Sequence, residues 1–451
     1  MPPAPPPDHD PYAAFRLPAY RSYWIGGFAS VIGRQMLAVA VGYEIFRRTH
    51  SATALGLAGL MGALPVILFS LPAGHLADRL NRKWIMLVTQ CVLVATSLCL
   101  AALAREGVAV PALPPLAAAS RSLEQVARWF GASASVSFGP EVPLIYLLLL
   151  VNGTARAFGW AARTPFVANI VPREALPNAI MWGSSNFEIG SIAGPALSGL
   201  LIHFYGFSTV YALDAGCSLF FIGCVLPIAY RQPADSRHDH PLEDLYSGIR
   251  FVWQTKVILA TITLDLFAVL LGGATALLPI FADQILHVGP LGLGWLRAAP
   301  SFGAVAMAIT LAHSPPLRRA GMAMLWAVAG FGVATVVFGL SRSFWLSLLA
   351  LAVTGACDNI SVVVRHTLVQ LLTPDTMRGR VSAVNNIFIG SSNELGALES
   401  GLTAERFGAV ISVVGGGLGT IFVLALTAWK WPQVRRIGQL HQVEEMDRET
   451  V

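Results

Sequence analysis

The chain has 451 residues, enough for two or three soluble domains, yet only 12% are Asp, Glu, Lys or Arg, 55% are hydrophobic, and the mean hydropathy is +0.62. Soluble proteins average roughly 25% charged residues, so the composition reads as a membrane protein and excludes collagen, disordered and disulfide-scaffold classes. The net charge of +5 comes from 30 basic residues standing singly or in pairs between apolar segments, which argues against a nucleic-acid surface and for charges that orient the chain in a bilayer.

The first ten residues are proline-rich and lack a basic start followed by an apolar core, so they read as a tail and not as a cleavable signal peptide. Each span needs about 20 apolar residues. Windows of that length predict helices over 23–46, 54–77, 84–104, 144–168, 175–204 and 208–229, then over 257–281, 291–312, 321–340, 344–371, 381–404 and 409–429. A polar stretch, with Arg231, Asp235, Arg237, Asp239, Glu243 and Asp244, separates the two sets. The expected organisation is a tail 1–22, a six-helix bundle 23–229, a linker 230–255, a second six-helix bundle 256–429 and a tail 430–451. The fold class is an all-α membrane protein of twelve transmembrane helices in two pseudo-symmetric bundles. Cys91, Cys99, Cys217, Cys224 and Cys357 fall inside apolar runs, where cysteine behaves as a small hydrophobe, and no disulfide is expected.

An even number of spans puts both termini on one side. Counting Lys and Arg by loop gives nineteen on the side of the tails, eight on the other, with Arg297 among them, and three (Arg34, Arg156, Arg365) inside spans. This excess predicts cytoplasmic termini. The chain also repeats at an offset of 202 residues: Gly153, Arg163, Pro172, Gly194, Ser198, Gly199 and Gly206 fall on Gly355, Arg365, Pro374, Gly396, Ser400, Gly401 and Gly408. The shift carries the fourth and fifth spans onto the tenth and eleventh in one orientation, the mark of parallel repeats about an axis along the membrane normal. The outer loop 106–143 breaks the symmetry. Within it, 120–130 places Leu123, Val126, Trp129 and Phe130 at the apolar positions of an amphipathic helix, suited to rest at the membrane interface or to serve as a lid or partner surface.

After the second span stands Gly74-His-Leu-Ala-Asp78-Arg79-Leu-Asn-Arg82-Lys83. A basic turn is ordinary at a cytoplasmic face, but an aspartate beside arginines also suits the positive N-terminal end of a neighbouring helix. The segment resembles the loop signature of the major facilitator superfamily, with Asn81 in place of that pattern's second glycine. The resemblance implies that Asp78 and Arg79, with Gly74 and Arg82 in the same motif, latch a cytoplasmic gate against the start of the eleventh helix, 374–380. The corresponding loop of the second half keeps Arg318 and Arg319 without an aspartate.

The fifth span contains Gly190-Ser-Ile-Ala-Gly194-Pro195-Ala-Leu-Ser-Gly199. Such glycine spacing with a proline gives close helix packing and a bend. Its form also resembles the element that marks proton-driven exporters of that superfamily, with Ser198 where the pattern has a glycine. Further phrases, Leu278-Pro-Ile-Phe-Ala282, Gly292-Leu-Gly-Trp-Leu-Arg297-Ala-Ala-Pro300, Arg378-Gly-Arg-Val381 and Ser392-Asn-Glu-Leu-Gly396, are similar to the enterobactin-exporter-like branch, over about 16–429. The resemblance implies a bacterial inner-membrane exporter working by alternating access, with siderophore or drug and macrolide cargoes.

An ionisable group near the bilayer centre costs on the order of 2.5–3.5 kcal/mol on insertion scales. Arg34, Arg156, Glu188, Asp265, Asp358 and Glu394 lie near mid-span, and Asp214, Arg365 and Glu399 off centre. Four acids against two bases leave carboxylates over, and a carboxylate without a partner in low dielectric tends to hold a proton. Glu188, Asp265, Asp358 and Glu394 are therefore the proton-coupling candidates. Arg34 and Arg156 are candidates for contacting an anionic cargo, unless pairs such as Arg156 with Glu188 simply clamp helices. Most tryptophans fall near span ends, as an interfacial belt does, while Trp160 and Trp182 remain as cavity candidates. No metal-ligand spacing and no phosphate loop appears. The expectation is a proton-coupled secondary exporter of a siderophore-like or other amphipathic molecule, with no cofactor, acting as a monomer with protons and membrane lipid as its other partners. A multidrug or macrolide antiporter and a non-transporting sensor or lipid-handling protein are the alternatives; an enzyme is not expected.

Overall fold

The structure, a computed structural model, describes residues 10–105, 110–111, 113–131, 138–232, 241–315, 319–374, 377–436 and 438. Each expected span is a helix to within a few residues of its ends except the seventh, which is broken. The first half comprises α1 (Pro18–Thr49), α2 (Ala52–Arg79), α3 (Arg82–Leu103), a short outer-loop helix α4 (Pro114–Trp129), α5 (Glu141–Ile170), α6 (Leu176–Tyr205) and α7 (Phe207–Val225). The second begins with α8 (Pro241–Gln254) and α9 (Lys256–Leu271), continues through the short α10 (Leu278–Ile280), and is completed by α11 (Gly289–His313), α12 (Ala320–Leu340), α13 (Phe344–Leu372), α14 (Arg378–Phe407) and α15 (Ala409–Lys430), with α16 (Gln433–Arg436) after it.

Helix ends follow local chemistry. Pro18 opens α1 where its missing N–H is no loss. Ser51 caps α2 by accepting from the Ala54 N–H, and Asn81 caps α3 by accepting from the Lys83 N–H. The repeat partners Gly206 and Gly408 take φ of 79° and 90° and each joins two helices in one residue, a conformation that glycine adopts without a Cβ penalty.

Among the described residues, eleven helices are long and apolar enough to cross a membrane. The twelfth, α14, falls short because Asn385, Ser392, Asn393, Glu394, Glu399 and Ser400 interrupt it, yet it packs against α2, α9 and α15 as a full member of the bundle. A helix lined by protein on several sides does not need a lipid-compatible surface all round.

The seventh span differs from the continuous helix expected over 257–281. It breaks at Gly272–Gly273, tightens into a 3-10 turn over Ala274–Leu277 and ends in a π turn over Phe281–Ile285. Gly273 lies where a side chain would meet the Gly396 carbonyl at 2.9 Å, so the break lets the chain approach α14. The region expected as a linker carries the helix α8, which packs on α14; Asp235, Arg237 and Asp239 lie outside the described residues.

In the outer loop the helix starts earlier than expected, at Pro114, and its faces divide differently. Leu123 packs with the core together with buried Ala127, whereas Val126 and Trp129 are exposed, Trp129 at 79%. The Glu124 carboxylate explains the orientation, since it accepts from the Phe138 N–H at 3.0 Å and ties the helix back to the loop that follows.

Within the first half α1 packs on α6 and α7, α2 on α5, and α3 on α5 and α7; within the second α9 packs on α14 and α15, α11 on α13, and α12 on α13 and α15. The halves meet along α2 with α14 and along α6 with α11.

Candidate functional site

The halves are held together at the end away from the termini. Here Gly199 of α6 crosses Gly294 of α11, and Gly401 of α14 crosses Gly56 of α2; at each crossing backbone meets backbone. Three hydrogen bonds bridge the same end. The Glu405 carboxylate of α14 accepts from the Ser51 hydroxyl at 2.8 Å and from the Thr53 N–H at 2.9 Å, so the second half caps the start of α2 in the first. The Tyr43 hydroxyl donates to Asp283 at 3.1 Å. Toward the termini, a side chain placed at Gly62 or Gly74 of α2, Gly183 of α6 or Gly390 of α14 would meet nothing within 4 Å. The Tyr43, Ser51 and Thr53 hydrogen bonds between the halves all lie at the end away from the termini.

The fifth-helix motif shows how the sequence builds the closed end. Gly190 and Gly194 let α6 lie against Val31, Ile32 and Gln35 of α1, the Ser198 hydroxyl donates to the Met36 carbonyl at 3.0 Å, and beyond Pro195 the Gly199 face turns to α11.

A charged cluster sits beneath this seam. Glu394 of α14 lies beside Gly59 of α2, within electrostatic reach of Arg156 from α5 and Arg297 from α11. One arginine comes from the first half, and the other, with the carboxylate, from the second. Arg297 is further held by donating to the Thr275 carbonyl at 2.7 Å, just after the break in the seventh span. Arg34 lies nearby, in the field of Arg156, Arg163 and Asp214, with its guanidinium 5.9 Å from the Phe187 ring. Asp214 is buried and accepts from the Ser97 hydroxyl at 2.5 Å.

The remaining expected residues separate. Glu188 has no hydrogen-bond or ion-pair partner among the described residues; it shares a helix face with Pro195 and Gly199 and is not the partner of Arg156 that its mid-span depth suggested. Asp265 is a buried ion-pair partner of Arg365 from α13. Asp358 lines a cavity inside the second half. Trp160, 63% exposed, stands one turn from Arg156 on the same face of α5.

Trp182 does not serve the cleft. Its indole N–H donates to the Pro11 carbonyl at 3.0 Å, and its ring stacks on Tyr12 and meets Phe15 edge-on. It clasps the segment before α1, so part of the expected tail 1–22 packs on α6 from Pro11 onward. In the motif that follows the second span, Asp78 accepts from Arg82 at 3.1 Å, buried Arg82 also reaches the Ala77 carbonyl, and Arg79 is exposed.

Sequence reasoning missed four residues. Arg297 was counted with the outer loops but lies inside α11; the predicted window from 291 already contained it. Glu44, buried and shared by Arg48 and Tyr211, and the seam acids Asp283 and Glu405 stand near helix ends, where a charge ordinarily faces solvent.

Two helical halves around a cleft that is shut at one end, with charge from both halves gathered under the closure, define a multi-pass membrane transporter and not an enzyme. Residues 23–397 match the Major Facilitator Superfamily, and the chain belongs to that family. Among curated proteins it is similar to the enterobactin exporter EntS of Shigella boydii serotype 18 and to that of Escherichia coli O81, each 26% identical over 427 residues, with 94% of both chains covered. Among solved structures, its fold is similar to a bacterial homolog of the human lysosomal transporter Spinster in an inward-facing, unoccupied conformation. That pair has a TM-score of 0.68 and 14% identity, covering 95% of this chain and 99% of the other. A POT family transporter in complex with 5-aminolevulinic acid gives a TM-score of 0.67 at 10% identity, covering 92% and 96%.

Proposed function

We propose that the chain exports an anionic, amphipathic small molecule of the siderophore class from the cytoplasm by proton-coupled alternating access, in a bacterial inner membrane with both termini cytoplasmic. The observation that carries this reading is the cluster of Arg156, Arg297 and Glu394, with Arg34 and Arg163 beside it. Arginines outnumber the carboxylate there, so the cleft favours an anion, and an acidic cargo group that takes the arginines releases Glu394 to bind a proton. Cargo and the Glu394 carboxylate then compete for one set of partners, so cargo occupancy and the protonation of Glu394 are linked. Similarity to the enterobactin exporters supports the direction of transport and the cargo class. A cationic drug would have to enter the same surplus of positive charge.

The test is transport in proteoliposomes under an imposed pH gradient, with a catecholate siderophore and a cationic dye as alternative cargoes. Gradient-dependent movement of the siderophore, lost in R156A, is the expected result. Movement of the dye alone overturns the cargo assignment, and siderophore movement indifferent to the gradient overturns the coupling.

A further inference from the structure

The second half contains a cavity of about 170 Å³ between the broken seventh span and α11, α12, α13 and α14. Drug-sized pockets occupy roughly 300–1,000 Å³, so this one suits an ion and part of its hydration, not the cargo. Its polar lining is of one kind. The Thr335 hydroxyl donates to the Phe331 carbonyl at 2.8 Å, the Thr354 hydroxyl to the Leu351 carbonyl at 2.7 Å, and the Asn393 amide N–H to the Ile389 carbonyl at 2.9 Å. Each side chain has committed a donor to its own helix, and each retains an oxygen with lone pairs. Asp358 adds a carboxylate that has no hydrogen-bond or ion-pair partner among the described residues, and no Lys, Arg or His lines the space.

Below it a smaller cavity shares Asp358, Val269 and Phe331 and reaches Asp265. The Asp265 charge is already met by Arg365, which leaves Asp358 as the uncompensated one. Oxygen acceptors around one negative charge, next to an unwound span, are the setting in which membrane transporters hold small cations.

We propose that this cavity is a monovalent-cation site, separate from the cargo cleft, with Asp358 as its charge and the oxygens of Thr335, Thr354 and Asn393 as its neutral ligands. The cation is a proton or sodium. Two short links join the site to the cleft: Asn393 precedes Glu394 on α14, and Thr275, which lines the cavity, holds Arg297 through its carbonyl. Filling the cavity thereby biases the arginine and carboxylate that meet the cargo. This coupling rests on the proposed export reading, whereas the site itself does not.

The experiment is thermal unfolding of the purified full-length protein in sodium chloride against choline chloride at equal ionic strength, at several pH values. The variants are D358N, T354V and R156A. For sodium, the wild-type midpoint rises with sodium concentration as binding linkage requires, D358N loses the rise, and T354V needs more sodium for the same rise. For a proton, sodium has no effect, and the pH dependence of the midpoint differs between wild type and D358N but not between wild type and T354V. A wild type that matches D358N under every condition overturns the proposal. R156A retains the cation response in either case, so failure of the siderophore to move in liposomes leaves this result standing and the two readings fail separately.

Discussion

Gly199 and Gly401, 202 residues apart, make the same contact in the two halves. A methyl group on Gly199 would stand 2.5 Å from the Pro290 carbonyl oxygen and 2.9 Å from the Gly294 Cα; on Gly401 it would stand 2.6 Å from the Ala52 carbonyl oxygen and 2.9 Å from the Gly56 Cα. In each case the partner is a helix start followed four residues later by a glycine, so the closure at the end away from the termini consists of two copies of one glycine crossing related by the internal repeat.

Neither crossing can close over a branched side chain. G401V is expected to hold the halves apart at that end and abolish transport, with the fold retained because each half also has a buried cluster toward the termini that does not cross the seam. The check is a thiol placed at Ala397 in a variant without the native cysteines, probed with a membrane-impermeant reagent. G401V increases its labelling, whereas the control G216A, at a glycine facing open space, does not. Equal labelling in both would show that the crossing does not form the seal.

Glu405 supplies the polar half of the same closure. Its carboxylate serves the Ser51 hydroxyl and the Thr53 N–H of the opposite half, a cap worth about 0.5–2 kcal/mol. E405A is expected to shift the balance toward the arrangement open at this end by roughly 2- to 30-fold. Distances between spin labels on the outer ends of α2 and α14 read that population directly; an unchanged distribution would mean that the glycine crossings alone hold the seam.

Much of this was legible in the sequence. The offset of 202 residues already paired Gly199 with Gly401 and Gly206 with Gly408, because a glycine needed for close approach or positive φ has no substitute of similar shape. Span windows located the helices because burial in lipid demands length and apolarity together. What stayed hidden depends on which helices become neighbours. Glu405 and Asp283 read as ordinary helix-end charges, since only the docking of the halves gives them partners. Trp182 reads as a cavity residue until the segment from Asp10 folds back over it. Arg297 was missed for a simpler reason: a charge near a span end was assigned to the loop, although eight residues of α11 precede it.

The Asp265–Arg365 pair tests whether a buried acid is structural. Removing one member of a buried ion pair leaves the other uncompensated and costs about 3–5 kcal/mol, while replacing both with apolar residues of similar size is often neutral. D265N and R365M are each expected to lower the unfolding midpoint, D265L/R365M to restore it, and the double variant to keep gradient-driven transport. Restored stability with transport still absent would instead make Asp265 a member of the coupling machinery.

Glu394 and the two arginines around it should respond to substitution with opposite signs. A charge-assisted hydrogen bond contributes about 1.5–3 kcal/mol, so R156A and R297A are each expected to weaken binding of a catecholate siderophore by roughly 10- to 150-fold. E394Q removes the internal competitor for the same guanidinium groups and is expected to tighten binding. Transport by E394Q nevertheless falls, because a cargo that no carboxylate displaces leaves slowly. Titration calorimetry of the three variants decides the matter, since a clamp that only holds the halves together predicts weaker binding in all three.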